Sequence, residues 1–245
     1  MVTRKFQIQE NCISCQWRTR NFFCSFNESI LSNFQAVKVT HLYERGSVLF
    51  SEGQPARGVY MVCAGRVKLS TYSEDGKALI VRIAEPGEIL GISANVSDIH
   101  HEATARAIDY CQINFVKRSD FMALVRDNGD VAQRALRQMS RNYQRAHQQA
   151  CSLGLSASVR AKVAKLFLEW SGRKPAAGRT SRMALPYTHE EIAEMIGTSR
   201  ETVTRVINDF RRSNIIVLNN RDLYIPDLET LKLATNGRHS NGSPR

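Results

Sequence analysis

The chain has 245 residues, 42% of them hydrophobic and 23% charged, the composition of a globular protein with room for two domains. No apolar run approaches the ~18 residues that cross a bilayer, and MVTRKFQIQENC lacks the apolar stretch of a secretory signal, so a cytoplasmic protein is expected, with no membrane partner. The net charge of +11 favours a polyanionic partner such as nucleic acid.

Six cysteines without a secretion signal point to reduced thiols, for which metal or redox chemistry is a better reading than disulfides. Three of them, Cys12, Cys15 and Cys24, fall in an N-terminal segment, residues 1–27. From about residue 37 to 115 the text changes to short β-rich runs, such as 59–62 and 67–72, separated by turn signals at Gly53, Gly65, residues 74–76 and Pro86-Gly87. That pattern predicts an antiparallel sandwich or roll over residues 28–125. Cys63 alternates into one of its apolar strands and is expected as a core thiol.

Residues 126–154 predict one long helix. Ala132, Leu136, Met139, Tyr143, Ala146, Ala150 and Leu153 recur at alternating spacings of four and three, a heptad seam. Arginine and glutamine fill the rest of the helix, so the stripe is narrow and suits a parallel homodimer; the alternative is packing on the chain's own core. Cys151 adjoins this seam. Gly154 is expected to break the helix and Ser156 to cap the next, which carries Val159, Val163, Leu166, Phe167 and Trp170 on one face. A second domain, residues 155–232, starts there. Residues 172–184 read as an exposed connection and residues 233–245 as a disordered tail.

The most informative run is THEEIAEMIGTSRETVTRVINDFRR, residues 188–212. Thr188 and Glu191 form a capping box for a short helix that buries Ile192, Ala193 and Ile196. Gly197 supplies a tight turn. Thr198 or Ser199 then caps a second helix with Val203, Val206, Ile207 and Phe210 on one face. Two short helices joined by a glycine turn make a helix-turn-helix. Ser199, Arg200, Glu201, Thr204 and Arg205 lie at the end that enters a major groove. Arginine can bond guanine O6 and N7 together, and a carboxylate can accept from cytosine N4, so these side chains can tell bases apart. Glu201 alternatively closes a capping box with Thr198. Arg211 and Arg212 favour the helix C-terminus or touch phosphate. Runs 215–218 and 223–225 flank Asn219-Asn220-Arg221-Asp222, a hairpin wing.

Over roughly residues 28–232 the sequence resembles the Crp/Fnr family, the cyclic-AMP receptor and its fumarate-nitrate relatives. The resemblance rests on GTSRETVTRVINDF, which is similar to the family's recognition helix, and on the glycine-punctuated stretch from Gly46 to Gly91, which resembles its cyclic-nucleotide-binding β-roll. It implies an α+β protein: an N-terminal antiparallel β-roll, a long dimerisation helix and a C-terminal winged helix-turn-helix. It also implies duplex DNA with a near-palindromic operator as partner, a second copy of the chain, and RNA polymerase. Arg200, Glu201 and Arg205 match the three base-reading positions. In the effector pocket Gly87-Glu88 matches the pair that holds the ribose, while His101 and Glu102 fall where an Arg-Ser pair would grip the cyclic phosphate. Asn142, Ala146 and His147 take the base-contacting helix positions. A carboxylate facing that phosphate would repel it, so cyclic AMP is not expected as the effector. His100 and His101 otherwise read as an exposed loop.

The oxygen-sensing relatives imply an iron–sulfur cluster, with Cys12, Cys15 and Cys24 as three ligands and Cys111 nearest the fourth position, although the resemblance sets Asn114 at that place. Three residues along a strand reverse a side chain's face. A cluster, a zinc site or redox thiols, and cysteines that only pack all stay open. No GxxxxGKS, HExxH or GxSxG run is present, so an enzyme is not expected. A sequence-specific regulator is the leading reading and a nonspecific architectural DNA binder the alternative.

Overall fold

A computed structural model describes residues 8–18, 22–155, 158–172, 181–185, 187–219 and 222–235. The chain divides into two compact units, residues 1–146 and 147–245.

In the first unit, α1 (Glu28–Val37) starts at Asn27, whose side chain accepts from the Ile30 N–H at 3.0 Å, and it buries Ile30, Leu31 and Phe34. The strands β1 (Lys38–Tyr43), β2 (Val48–Phe50), β3 (Gly58–Ala64), β4 (Val67–Tyr72), β5 (Ala78–Ala84) and β6 (Ile89–Leu90) follow, then a short helix, α2 (Ile92–Ser97), and β7 (Thr104–Ala107) and β8 (Cys111–Lys117). They form two antiparallel sheets, β1-β8-β3-β6 and β2-β7-β4-β5, which is the expected roll.

Strand periodicity sorts the side chains of the first sheet. Val62 of β3 and Cys111 and Ile113 of β8 face inward, against Leu49, Val67, Ala84 and Ala105 of the second sheet. Val59, Met61 and Val116 face outward. That outer face is covered by Cys12, Phe23 and Phe26 of the N-terminal segment, by α1, and by Phe121 and Leu124 of α3 (Arg118–Asp127).

Asn128 separates α3 from α4 (Gly129–Leu155), which runs through Gly154 and closes one residue later. Val131 and Ala135 of α4 join the outer core. Gln138 is buried and binds the open hydrogen-bonding edge of β6, the last strand of its sheet, as a further strand would, accepting from the Ile89 N–H at 3.1 Å and donating to the Ile89 carbonyl. The expected seam is therefore shared. Met139 packs against the outer core, while Leu136 and Tyr143 remain 67% and 72% exposed. The Leu153 side chain lies outside the described residues.

In the second unit α5 (Val159–Ser171) is capped by Ser158, which accepts from the Ala161 N–H at 3.2 Å; the expected cap, Ser156, lies outside the described residues. Ala161, Val163, Ala164, Phe167 and Trp170 are buried. The chain continues through β9 (Ser181–Ala184), α6 (His189–Ile196), α7 (Arg200–Arg212), β10 (Val217–Asn219), β11 (Asp222–Ile225) and α8 (Leu228–Thr235). The sheet order is β10-β11-β9, and Asn219 pairs with Asp222, so residues 220–221 connect the hairpin; Asn220 and Arg221 themselves lie outside the described residues. The expected wing thus gains a third strand from the connection at residues 172–184. Helix α8 runs to Thr235, so residues 233–235 are helical where a disordered tail was expected; residues 236–245 lie outside the described residues.

Candidate nucleic-acid interface and thiol cluster

Helix α7 is anchored on one side and presented on the other. Val203, Val206, Ile207 and Phe210 are buried, and Arg160 stacks over the Phe210 ring at 4.5 Å. The capping box of α6 is complete: the Thr188 hydroxyl accepts from the Glu191 N–H at 3.1 Å and Glu191 accepts from the Thr188 N–H at 2.8 Å. Gly197 ends α6 at φ +67, a left-handed conformation that glycine adopts without strain. Of the two candidate caps for α7, Ser199 is the one used, its Oγ accepting from the Thr202 N–H at 3.3 Å.

That choice corrects the alternative reading of Glu201. With Ser199 as cap, Glu201 is the second helical residue, not the third, and it closes no box with Thr198. Hydrogen bonds from its own backbone N–H and the Ser199 hydroxyl hold its carboxyl below the usual range, with a smaller contribution from the Arg200 charge. It stays an acceptor at neutral pH. Arg200, Glu201, Thr204, Arg205, Asn208 and Arg212 border one open concavity along the exposed side of α7. Thr204 is committed inward: its hydroxyl donates to the Arg200 carbonyl at 2.9 Å and meets His189 Nδ1 at 2.9 Å. Because the hydroxyl hydrogen is used on that carbonyl, Nδ1 carries the proton shared with Thr204. Burial first, then the Arg200 charge, lowers the His189 pKa, which keeps the imidazole neutral. Asn208, on the same exposed face of α7 by helical spacing from Thr204 and Arg205, was legible in sequence but was not singled out, whereas His189 has no sequence signal, since only the packing of α6 on α7 brings it to Thr204.

Of the expected effector residues, Gly87, Glu88 and His101 meet partners within the protein. Gly87 and Glu88 lie in the turn before β6, where the Gly87 carbonyl accepts from the Phe23 N–H at 2.7 Å. The Glu88 carboxylate, 17% exposed, is held by Arg82 of β5 and by Arg145 of α4 at 2.8 Å. His101 is not the exposed loop residue considered from sequence. It is buried, with its ring stacked on Phe50 at 3.8 Å and 17°, and burial lowers its pKa. His100 and Glu102 are exposed. Asn142 leaves its Oδ1 buried without a partner among the described residues.

The thiols sort by strand face. Cys111 does not join Cys12, Cys15 and Cys24: it faces the roll interior, with its Sγ 3.3 Å from the Arg66 carbonyl and 3.4 Å from the Asp109 carbonyl. Burial pushes its pKa up to about 11. Asn114, three residues on and on the opposite face, is the β8 residue beside the trio; its Nδ2 lies 3.8 Å from Cys12 Sγ and its Oδ1 accepts from Thr40 at 2.8 Å. Cys63 packs, as expected of a core thiol, against the outer core, and it also lines a small cavity with Cys12, Cys15, Cys24 and Asn114. Burial, then the neighbouring Cys12 and Cys15, pushes Cys24 up to about 12, and burial followed by the charges of Cys24, Cys12 and Cys15 pushes Cys63 up as well. Among the described residues no three Cys, His, Asp or Glu side chains are already arranged to hold a metal ion. Cys151 is apart, on α4 beside His147 at 3.9 Å.

Comparison with known proteins places these features together. Residues 40–128 match the family model of the cyclic nucleotide-binding domain, and residues 161–234 match that of the Crp-like helix-turn-helix domain. The transcriptional regulatory protein btr of Bordetella pertussis is 29% identical over 199 residues, 81% of each chain. A CRP-like cAMP-activated global transcriptional regulator of Mycobacterium tuberculosis is 27% identical over 190 residues, 77% of this chain and 84% of that one. Among solved structures, FixK2 from Bradyrhizobium japonicum aligns with a TM-score of 0.69 at 25% identity, covering 80% of this chain and 96% of its own. CooA from Carboxydothermus hydrogenoformans aligns in fold with a TM-score of 0.72 at 20% identity, over 86% of this chain and 91% of its own. Among the described residues no helix is long and apolar enough to cross a membrane.

Proposed function

Since this chain belongs to the Crp/Fnr family of transcription regulators, we propose that it works as a cytoplasmic homodimer that places two α7 helices in successive major grooves of a near-palindromic operator and acts on RNA polymerase there. The observation that carries this reading is the exposed Arg200, Glu201 and Arg205 face on a helix whose other side is locked by Val203, Val206, Ile207 and Phe210. Such a face reads base edges, and a wing of β10 and β11 beside it suits contact with the phosphate backbone. Dimerisation is assigned to the exposed Leu136 and Tyr143 stripe of α4.

The relatives named as cAMP-activated raise cyclic AMP as the effector. Two observations speak against it here. Glu88, the expected ribose ligand, is occupied by Arg82 and Arg145, and His101 is packed on Phe50 with Glu102 beside it at the place expected to hold a phosphate. The signal is instead assigned to the N-terminal thiols, whose segment packs on the same sheet that α4 covers.

The test is selection of binders from a pool of random DNA duplexes. The reading predicts enrichment of one sequence with two inverted half-sites about 10–10.5 base pairs, or ~34 Å, apart. A pool that stays random after selection would favour the nonspecific architectural alternative.

A further inference from the structure

We propose that Thr204 of α7 reads the C5-methyl group of a thymine through its own methyl group, and that His189 of α6 is the positioning residue that turns this methyl toward the major groove. The contact rests on the operator binding proposed above and fixes the base at one place in each half-site.

Threonine carries one oxygen and one methyl on Cβ, so a base meets whichever of the two is left outward. In Thr204 the oxygen is already committed. A hydroxyl has a single hydrogen to give, and that of Thr204 goes to the Arg200 carbonyl, one turn back, at 2.9 Å. His189 Nδ1 meets the same oxygen at 2.9 Å and is the donor there, because the hydroxyl hydrogen is taken. Threonine in a helix divides between two χ1 rotamers, since its oxygen can bond the carbonyl of the preceding turn. A second bond, from a different helix, favours the one rotamer that makes both. With the oxygen fixed in a staggered position the methyl is fixed as well. Thr204 is half-exposed and borders the concavity along α7 with Arg200, Glu201, Arg205, Asn208 and Arg212. Those neighbours are all polar and longer, so the Thr204 methyl is the short apolar group among them.

His189 is itself held in place. It is the first residue of α6, directly after the Thr188 cap, and the capping box with Glu191 fixes that turn. Ile192, Ala193 and Ile196 anchor the buried side of the same helix. The neutral imidazole has one N–H, and the tautomer that carries it on Nδ1 is the one that serves Thr204. Thymine is the base that displays a methyl in the major groove, and the threonine methyl is one of its apolar partners. Uracil presents the same hydrogen-bonding edge without the methyl, so exchanging the two isolates this contact from every hydrogen bond made by Arg200, Glu201 and Arg205.

The experiment uses the full chain and the duplex selected from the random pool. Each thymine is replaced in turn by deoxyuridine, symmetrically in both half-sites, and the ratio of affinities for the two duplexes is measured at one salt concentration. Wild type, Thr204→Ser, Thr204→Val, His189→Ala and His189→Asn are compared. In wild type the exchange at one thymine position should weaken binding about fourfold per half-site, the effect of burying a single CH2-sized group, or roughly 15-fold for the pair. Thr204→Ser keeps the oxygen without the methyl and should abolish the difference, whereas Thr204→Val keeps the methyl without the oxygen and should preserve it. His189→Ala should shrink the ratio, and His189→Asn, which retains an N–H donor near the Nδ1 position, should shrink it less. Each ratio compares two duplexes on one preparation, so a loss of folded protein cancels. No thymine sensitive to the exchange, a difference that survives in Thr204→Ser, or one that vanishes in Thr204→Val would overturn the methyl contact. A wild-type ratio in His189→Ala, or a ratio no larger in His189→Asn than in His189→Ala, would overturn the role of His189. A pool that selects one sequence while every exchange is neutral defeats this contact and leaves the regulator reading intact; a pool that stays random defeats both.

Discussion

Gly87 sits at φ +91, and a Cβ there would come within 2.3 Å of the Phe22 ring. The position therefore needs glycine twice, for its backbone and for the close seat it offers to the N-terminal segment. Gly87→Ala should cost about 1–3 kcal/mol in denaturant unfolding through strain and overpacking, and should speed proteolysis within residues 8–26 before the roll is cut. Unchanged stability and cleavage would show that Phe22 is not held there. From sequence Gly87 was legible as a turn but was assigned to ribose binding; its contact with Phe22 depends on a segment that pattern reading leaves without structure. Cys63 was half legible. Its alternation with Met61 was visible, but which face of that strand meets the N-terminal segment was not, because a period of two gives parity without saying what covers each face.

At the scale of elements, α4 does two jobs with one sequence. Val131, Ala135 and Gln138 hold it to the roll, and Leu136 and Tyr143 stay outside. Leu136→Glu therefore spares the protomer's core and places a charge in the dimer seam. Sedimentation equilibrium should give at least a tenfold weaker dimer at unchanged helix content. A variant as dimeric as wild type would move the interface elsewhere. The heptad spacing was readable in the text, but the diversion of Met139 to the outer core was not, since heptad position does not say which partner a residue meets. The α6–α7 pair was the most legible part of the chain. Caps, a glycine turn and helical spacing are all local signals, and only the choice between Thr198 and Ser199 needed coordinates. Gln138 bonding the edge of β6 carries no such signal, because it joins residues far apart in sequence.

For the whole molecule, the order of parts follows the text: a cysteine-bearing segment, an antiparallel roll, a long helix and a winged helix-turn-helix. Turn residues and periodicity are enough to write that order. The effector site was the least legible part. Its expected members depend on long-range register, and the fold gives Glu88 to two arginines and His101 to Phe50. The central claim is that base discrimination resides in the first turns of α7. The measurement that tests it most directly compares binding of a selected duplex and a shuffled duplex by wild type, Arg200→Ala and Arg205→Ala at one fixed salt concentration. The account predicts that each substitution removes about 1–3 kcal/mol of the preference for the selected duplex, while affinity for the shuffled one changes far less. An equal loss on both duplexes would contradict it, reducing the two arginines to phosphate contacts.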